Sequence, residues 1–305
     1  MNFEKVGIFC ASGPVRDLDP SYVERGIVNL EELGYTTVFS EGVFNEPNSL
    51  QLAGSASQRA QWLHNLLGDR TIGMAMSFWG GLNTASTLPY IDFEYVIDTN
   101  KPIIGYSDTT SLLLSAYSKG FNQAYYGPAF ISFGKGEYST YTGLSLKEAL
   151  QDNIAHYSHP DTQIECDEPY ILQEGHANGP AIAGNLDTIL SLTGTEFEPD
   201  YEGSILFIEE DESVDSRLFY RHMTHLEQSG IANKIAALCI GKFAVQSSID
   251  QQTLNEIINI TVGGDKPVIS NLAFGHTDPL FTIPIGADTL IELSHDDFAL
   301  KFTSK

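Results

Sequence analysis

A chain of 305 residues is long enough for one large domain or two ordinary ones. It carries 16 basic and 40 acidic residues, a formal net charge of −24, which excludes nucleic acid and anionic membrane as partners on electrostatic grounds. An apolar share of 42% with 11% aromatic residues supplies sizeable cores and excludes a disordered chain.

In chain order, the opening Met1 to Cys10 is too short and too soon interrupted for a signal peptide and leads into a first strand, Val6 to Ala11. The turn Ser12-Gly13-Pro14 follows. Asp19-Pro20 then predicts a helix start, with Asp as N-cap and Pro at the first helical position, and Gly34 its end. Thr36 to Ser40 reads as a second strand. Ser57 to Leu67 reads as a helix with Ala60, Leu63 and Leu67 on one stripe. Ile72 to Phe78 and Ile103 to Tyr106 are the third and fourth strands. Strands separated by helices imply an α/β fold with an N-terminal parallel sheet flanked by helices. Ligands of such sheets bind beyond the carboxyl ends of the strands. Trp79-Gly80-Gly81-Leu82-Asn83 and Ser107-Asp108 both sit at such ends and share one crevice.

The pattern weakens from about Asn153 to Glu174, where His156, Ser158, His159-Pro160 and Asp161 read as a linker. Short strands then dominate: Ser204 to Glu209, Ile235 to Ile240, Pro267 to Ile269, Phe281 to Ile285 and Thr289 to Leu293. One clear helix runs from about Ser216 to Ser229. We therefore expect an N-terminal α/β domain over 1–152, a linker over 153–174, and a smaller α+β, strand-rich C-terminal domain over 175–305. No run approaches the roughly 20 apolar residues of a membrane helix. Cys10, Cys166 and Cys239 have no metal-binding spacing, and an odd count argues against a disulfide framework, so a cytoplasmic location is expected with neither metal nor cofactor.

The chemistry centres on Pro102-Ile103-Ile104-Gly105-Tyr106-Ser107-Asp108-Thr109-Thr110, an apolar strand that ends on a serine and turns at once into a helix. Such a turn exposes a nucleophilic hydroxyl and aims the following N–H groups at its target. Taken alone, a helix cap is the commoner reading, because the second glycine of G-x-S-x-G is missing. A serine nucleophile needs a base, an orienting acid and oxyanion donors. Among eight histidines, His276 lies in a Gly-flanked loop suited to aiming its ring. His222 and His225 share a helix face at i, i+3, where a solvated surface is the commoner reading than a metal site. In Ile208-Glu209-Glu210-Asp211-Glu212, Glu209 is the first charge at a strand end, while Glu210 to Glu212 read as a solvated loop. Gly80-Gly81 is either a plain turn or, with the Asp108 N–H, an oxyanion donor.

Together these motifs resemble the LD-carboxypeptidase family of serine peptidases, which includes a microcin C immunity branch. The resemblance runs along nearly the whole chain. Its residues are Ser12-Gly13-Pro14, Ala53-Gly54-Ser55, Gly80-Gly81, Leu88-Pro89-Tyr90, Ile104-Gly105-Tyr106-Ser107-Asp108, Tyr126-Gly127-Pro128, Gly184-Asn185, Phe207-Ile208-Glu209, Arg221 and Gly275-His276.

The resemblance implies a Ser107–Glu209–His276 triad, an acyl-enzyme, oxyanion donors at Asp108 and the Gly80-Gly81 turn, and a homodimer. Asn83 and Asn185 become candidate substrate-binding residues. The implied substrate is an amide in a small peptide or an aminoacyl-nucleotide. The alternatives are a murein tetrapeptide LD-carboxypeptidase and a non-catalytic small-molecule binding protein. The wording around Gly80 and Pro89 is closer to the immunity branch. That branch stacks its nucleotide on tryptophans after the first domain. This chain has only Trp62 and Trp79, neither in that loop, with Tyr157 or Tyr170 as substitutes.

Overall fold

Asp19 caps the first helix as the spacing predicts: its side chain accepts the Ser21 N–H at 2.9 Å, and Pro20 occupies the first turn. The computed structural model describes residues 4–135, 140–151, 154–160, 168–295 and 297–303. Cys166 and Asp161 lie outside the described residues.

The first half alternates β1 (Lys5–Phe9), α1 (Pro20–Glu32), β2 (Thr36–Phe39), α2 (Ala56–Gly68), β3 (Met74–Ser77), α3 (Phe93–Thr99), β4 (Ile103–Gly105), α4 (Thr110–Ser118) and β5 (Ala124–Tyr126). Ser55 and Gln58 close a reciprocal capping box at the start of α2. β1 to β5 pair in parallel in the order β5-β4-β3-β1-β2. Both faces of this sheet are covered. Val6, Ile8, Met74 and Met76 point to one core, while Phe9 and Ala75 point to the other, following the two-residue period of a strand. Helices α5 (Phe130–Gly134) and α6 (Thr140–Gln151) complete this half.

The second half adds β6 (Ile154–His156), β7 (Tyr170–Gln173), β8 (Gly175–Asn185), α7 (Leu186–Leu192), β9 (Ile205–Glu209), α8 (Ser216–Gln228), α9 (Ile231–Lys234), β10 (Ala237–Gly241), α10 (Gln251–Thr261), β11 (Val268–Leu272), β12 (Ile283–Pro284), β13 (Asp288–Ser294) and β14 (Asp297–Thr303). Its sheet has the order β6-β14-β13-β8-β9-β10-β11-β7. The β8-β9-β10-β11 centre is parallel and both flanks are antiparallel.

The mixed α/β architecture with a second, strand-rich sheet is the expected one. Several details differ from the sequence reading, and three of them concern how the two sheets are built and joined. The segment read as a linker over 153–174 contributes β6 and β7, and each hydrogen-bonds onto one edge of the second sheet. The strand expected at Phe281 to Ile285 narrows to β12, which pairs antiparallel with β5 and so extends the first sheet. One face of the first sheet also shares a continuous core with the second, joining Phe9, Leu63 and Leu112 to Phe207, Phe274 and Phe302.

Candidate active site

The first sheet ends its strands on one side, as expected for a parallel arrangement, and there the backbone departs from ordinary geometry. Ser107 has φ +59°, a left-handed conformation that a residue with a Cβ adopts only when its surroundings impose it. Its neighbours do so. Gly105 is paired with Tyr126 across β4 and β5, and the Ser107 N–H donates to the Tyr126 hydroxyl at 3.2 Å. The chain then enters the turn Ser107–Thr109 and α4, which places the Asp108 N–H at a helix start.

The strand β3 delivers Gly80 to the same place. A Cβ on Gly80 would fall 2.7 Å from Ser107 Oγ and 3.1 Å from the Asp108 nitrogen, so the space above the hydroxyl stays open only because this residue is glycine. The loop that follows is pinned from below. The buried Asp108 carboxylate accepts the Thr84 N–H and hydroxyl, both at 2.8 Å. Burial raises the Asp108 pKa, and the donors at Thr84, Asn83 and Ser12 counter that rise. The Ser12 hydroxyl accepts the N–H groups of Leu82 and Asn83 at 3.2 Å each. The buried Arg59 guanidinium reaches the carbonyls of Ala11 and Asn83 and the Ser86 hydroxyl.

The second sheet supplies the acid and the imidazole. Glu209 ends β9, 1% exposed, and its two oxygens have different partners. Oε2 accepts His276 Nδ1–H at 2.7 Å and the His276 backbone N–H at 2.9 Å, while Oε1 accepts the Tyr126 hydroxyl at 2.6 Å. Burial lowers the His276 pKa, but the charge and hydrogen bond of Glu209, with Asp211 and Glu212, outweigh it and raise the net value. The His276 ring packs edge-on against Tyr106, the residue before Ser107, with centroids 5.1 Å apart.

Ser107, Asp108, Gly81, Asn83 and Asn185 line one cavity of about 710 Å³ that extends to α8. The Asn185 side chain caps α7, accepting the Thr188 N–H at 3.1 Å, and reaches Glu210 Oε2 at 3.4 Å.

Two readings are corrected here. Glu210 is not in a solvated loop: it is 2% exposed, with its carboxylate held by His222 of α8 and the Asn185 amide. His222 does not lie on a solvated face: its Nδ1 meets Glu210 Oε1 at 2.6 Å, and its Nε2 lies 3.7 Å from Asp187. Burial raises the Glu210 pKa, and the hydrogen bond and charge of His222 offset part of that rise. Burial pulls the His222 pKa down, but Glu210 and Asp187 outweigh it and leave it raised. Among the described residues, no group of His, Cys, Asp and Glu is arranged to hold a metal ion. No helix of the described residues is long and apolar enough to cross a membrane.

The tryptophans stand away from this cavity. Trp62 donates to Glu41 Oε2 at 3.2 Å, and Trp79 to the Gly13 carbonyl at 3.0 Å. Tyr157, expected as a substitute stacking ring, is buried against Phe281 and Phe298, and its hydroxyl accepts the Ala273 N–H. Tyr170 lies on β7, outside the cavity lining.

Two family models match the chain, the LD-carboxypeptidase N-terminal domain over residues 6–127 and the LD-carboxypeptidase C-terminal domain over residues 178–291. YocD of Bacillus subtilis (strain 168) is 30% identical, the match covering 86% of this chain and 85% of YocD. The microcin C7 self-immunity protein MccF of Escherichia coli is 28% identical, covering 97% of this chain and 93% of MccF. The structure of MccF in complex with aspartyl sulfamoyl adenosine superposes with a TM-score of 0.86, covering 99% of this chain and 96% of that one. An MccF-like protein from Bacillus anthracis str. Ames gives a TM-score of 0.91 at 26% identity, covering 100% and 98% of the two chains. Ser107 falls in the N-terminal match and Glu209 and His276 in the C-terminal one, so the crevice between the sheets draws on both matched regions, and the chain belongs to the LD-carboxypeptidase family.

Proposed function

We propose that the protein is a serine hydrolase that cleaves an amide bond through Ser107, Glu209 and His276. The observation that carries this reading is the buried Glu209 carboxylate, hydrogen-bonded on one oxygen to His276 and on the other to the tyrosine that holds the Ser107 backbone. In this mechanism His276 Nε2 takes the Ser107 hydroxyl proton as Oγ bonds to the substrate carbonyl carbon. Glu209 keeps the proton on His276 Nδ1 and stabilises the imidazolium. The N–H groups of Asp108 and the Gly80-Gly81 turn meet the developing oxyanion. His276 then protonates the departing amine, and water hydrolyses the acyl ester by the same steps in reverse.

The substrate is an amide in a small peptide or an aminoacyl-nucleotide. Similarity over nearly the whole chain to MccF, a protein seen with aspartyl sulfamoyl adenosine, supports the nucleotide. The alternative substrate in this reading is a murein tetrapeptide, and similarity to the probable murein peptide carboxypeptidase of Bacillus subtilis (strain 168) supports it. Asn83 and Asn185 contact substrate in this reading. A homodimer in the cytoplasm belongs to it as well. The test is hydrolysis of a murein tetrapeptide and of an aminoacyl sulfamoyl adenosine by the wild-type chain and by Ser107→Ala. Loss of hydrolysis in a folded Ser107→Ala protein supports the reading, and undiminished turnover overturns it.

A further inference from the structure

Tyr126 ends β5 and is fully buried, and its hydroxyl stands at the junction of the two sheets. It accepts the Ser107 N–H at 3.2 Å and donates to Glu209 Oε1 at 2.6 Å. On the neighbouring first turn of α4, the Thr110 hydroxyl accepts the Asn185 N–H at 3.0 Å. One phenol thus touches both the backbone of the nucleophile and the acid. Tyr126 is held in register on both sides, by Gly105 of β4 and Ile283 of β12. Burial, then the Glu209 charge, pushes its pKa well above the ordinary value, so it remains a hydrogen donor throughout the working range.

We propose that Tyr126 is a positioning residue of the reaction: its single hydroxyl sets the register between the Ser107 turn on the first sheet and the Glu209–His276 pair on the second. The inference rests on the serine-hydrolase reading. Two consequences follow from where the hydrogen bonds go. The Ser107 N–H is spent on Tyr126, which leaves the Asp108 N–H and the Gly80-Gly81 turn as the donors facing the oxyanion. The Glu209 carboxylate is also divided, with Oε1 held by Tyr126 so that Oε2 alone serves His276. Removing the phenol leaves Oε1 buried without that donor, and the Glu209–His276 pair then holds its proton more tightly. Other titratable groups around this pair include Tyr106, Glu210 with its partner His222, Asp211, Glu212 and, acting on Tyr106, Asp278, and the Tyr126→Phe change leaves all of them in place.

The test is the rate at which a fluorophosphonate labels Ser107, followed across pH in the full chain, because it needs no knowledge of the substrate. The phenol-free variant Tyr126→Phe should label roughly ten- to hundredfold more slowly at pH 7, with the acid limb of its profile about one to two pH units higher and its rate recovering above that limb. A 3-fluorotyrosine at position 126 keeps the ring and donates more strongly, so its limb should move to lower pH. That second protein preserves the test where Tyr126→Phe does not fold. An unmoved limb in either folded protein, including a drop equal at every pH, would overturn the positioning role. A wild-type chain that takes no label at any pH overturns the hydrolase reading itself, and a normal wild-type profile separates the two failures.

Discussion

Gly275 lies so close to Glu209 that a Cβ added to it would overlap the acid's carboxylate, and its φ of +84° disfavours any other residue. The turn that delivers His276 is thus shaped around the carboxylate it hydrogen-bonds. Gly275→Ala should cost about 1–2 kcal/mol for the left-handed backbone alone, plus the displacement of Glu209. We expect a Tm lower by at least a few degrees and a loss of hydrolysis greater than about tenfold. Thermal melts and labelling of Ser107 check both. An unchanged labelling rate would show that Glu209 is not held by this contact.

Glu209→Gln and Glu210→Gln form a matched pair. In the proposed mechanism Glu209 orients His276, so Glu209→Gln should lower kcat by roughly 10³–10⁴-fold. The second neutralises the partner of His222, with a stability loss of about 1–3 kcal/mol and a change in kcat below about tenfold. Steady-state kinetics and urea melts on both proteins separate the roles. Equal losses of kcat would refute the assignment.

The pH dependence has a defined sign. Glu209, Asp211 and Glu212 outweigh burial and raise the His276 pKa above its ordinary value of about 6.5. A general base must be neutral, so kcat/KM should climb with pH along a limb centred above 6.5. The same shift contributes stability that is fully present below the unfolded value and is lost as pH rises through the folded one. A limb at or below the ordinary imidazole value would contradict this account, as would melts that show no such loss.

Asp108→Ala removes the carboxylate that holds the N–H and hydroxyl of Thr84, while leaving the residue-108 N–H in place. The loop carrying Gly80 and Gly81 should lose its anchor, and kcat should drop by roughly 10–10³-fold with a smaller change in KM. Steady-state kinetics with either amide substrate measures this. A change confined to KM would place Asp108 in substrate binding instead.

Much of this organisation was legible in the sequence because it is local. Asp19-Pro20 announces α1, and the apolar runs ending at Ser77, Gly105 and Glu209 mark strands whose ends carry the chemistry. What escaped depends on partners distant in the chain. β8 begins Gly175-His176-Ala177-Asn178-Gly179-Pro180, a poor strand by propensity, yet it pairs with β13 on one side and, from Ala181, with β9 on the other. Glu210 looks like any member of an acidic run, and the partners that meet it where it is buried, His222 of α8 and the Asn185 amide, are distant in the chain. The helix over Gln251–Thr261 was readable from Asp250 and the Leu254, Ile257, Ile258 stripe, but polar residues between them masked it. Tyr126 stood in a Tyr-Gly-Pro motif, and nothing nearby pointed to its bond with a residue on the other sheet.

The pairing of β12 with β5 has a consequence for biosynthesis. The outer edge of β5 remains an open row of backbone donors and acceptors until residues 283–284 have emerged from the ribosome and reached it. A nascent chain halted before that point displays a first sheet with its β5 edge unpaired as well as its β2 edge, the state most exposed to pairing with another copy. Chaperone demand during synthesis should therefore fall once residues 283–284 can reach β5, when a two-residue strand covers that edge.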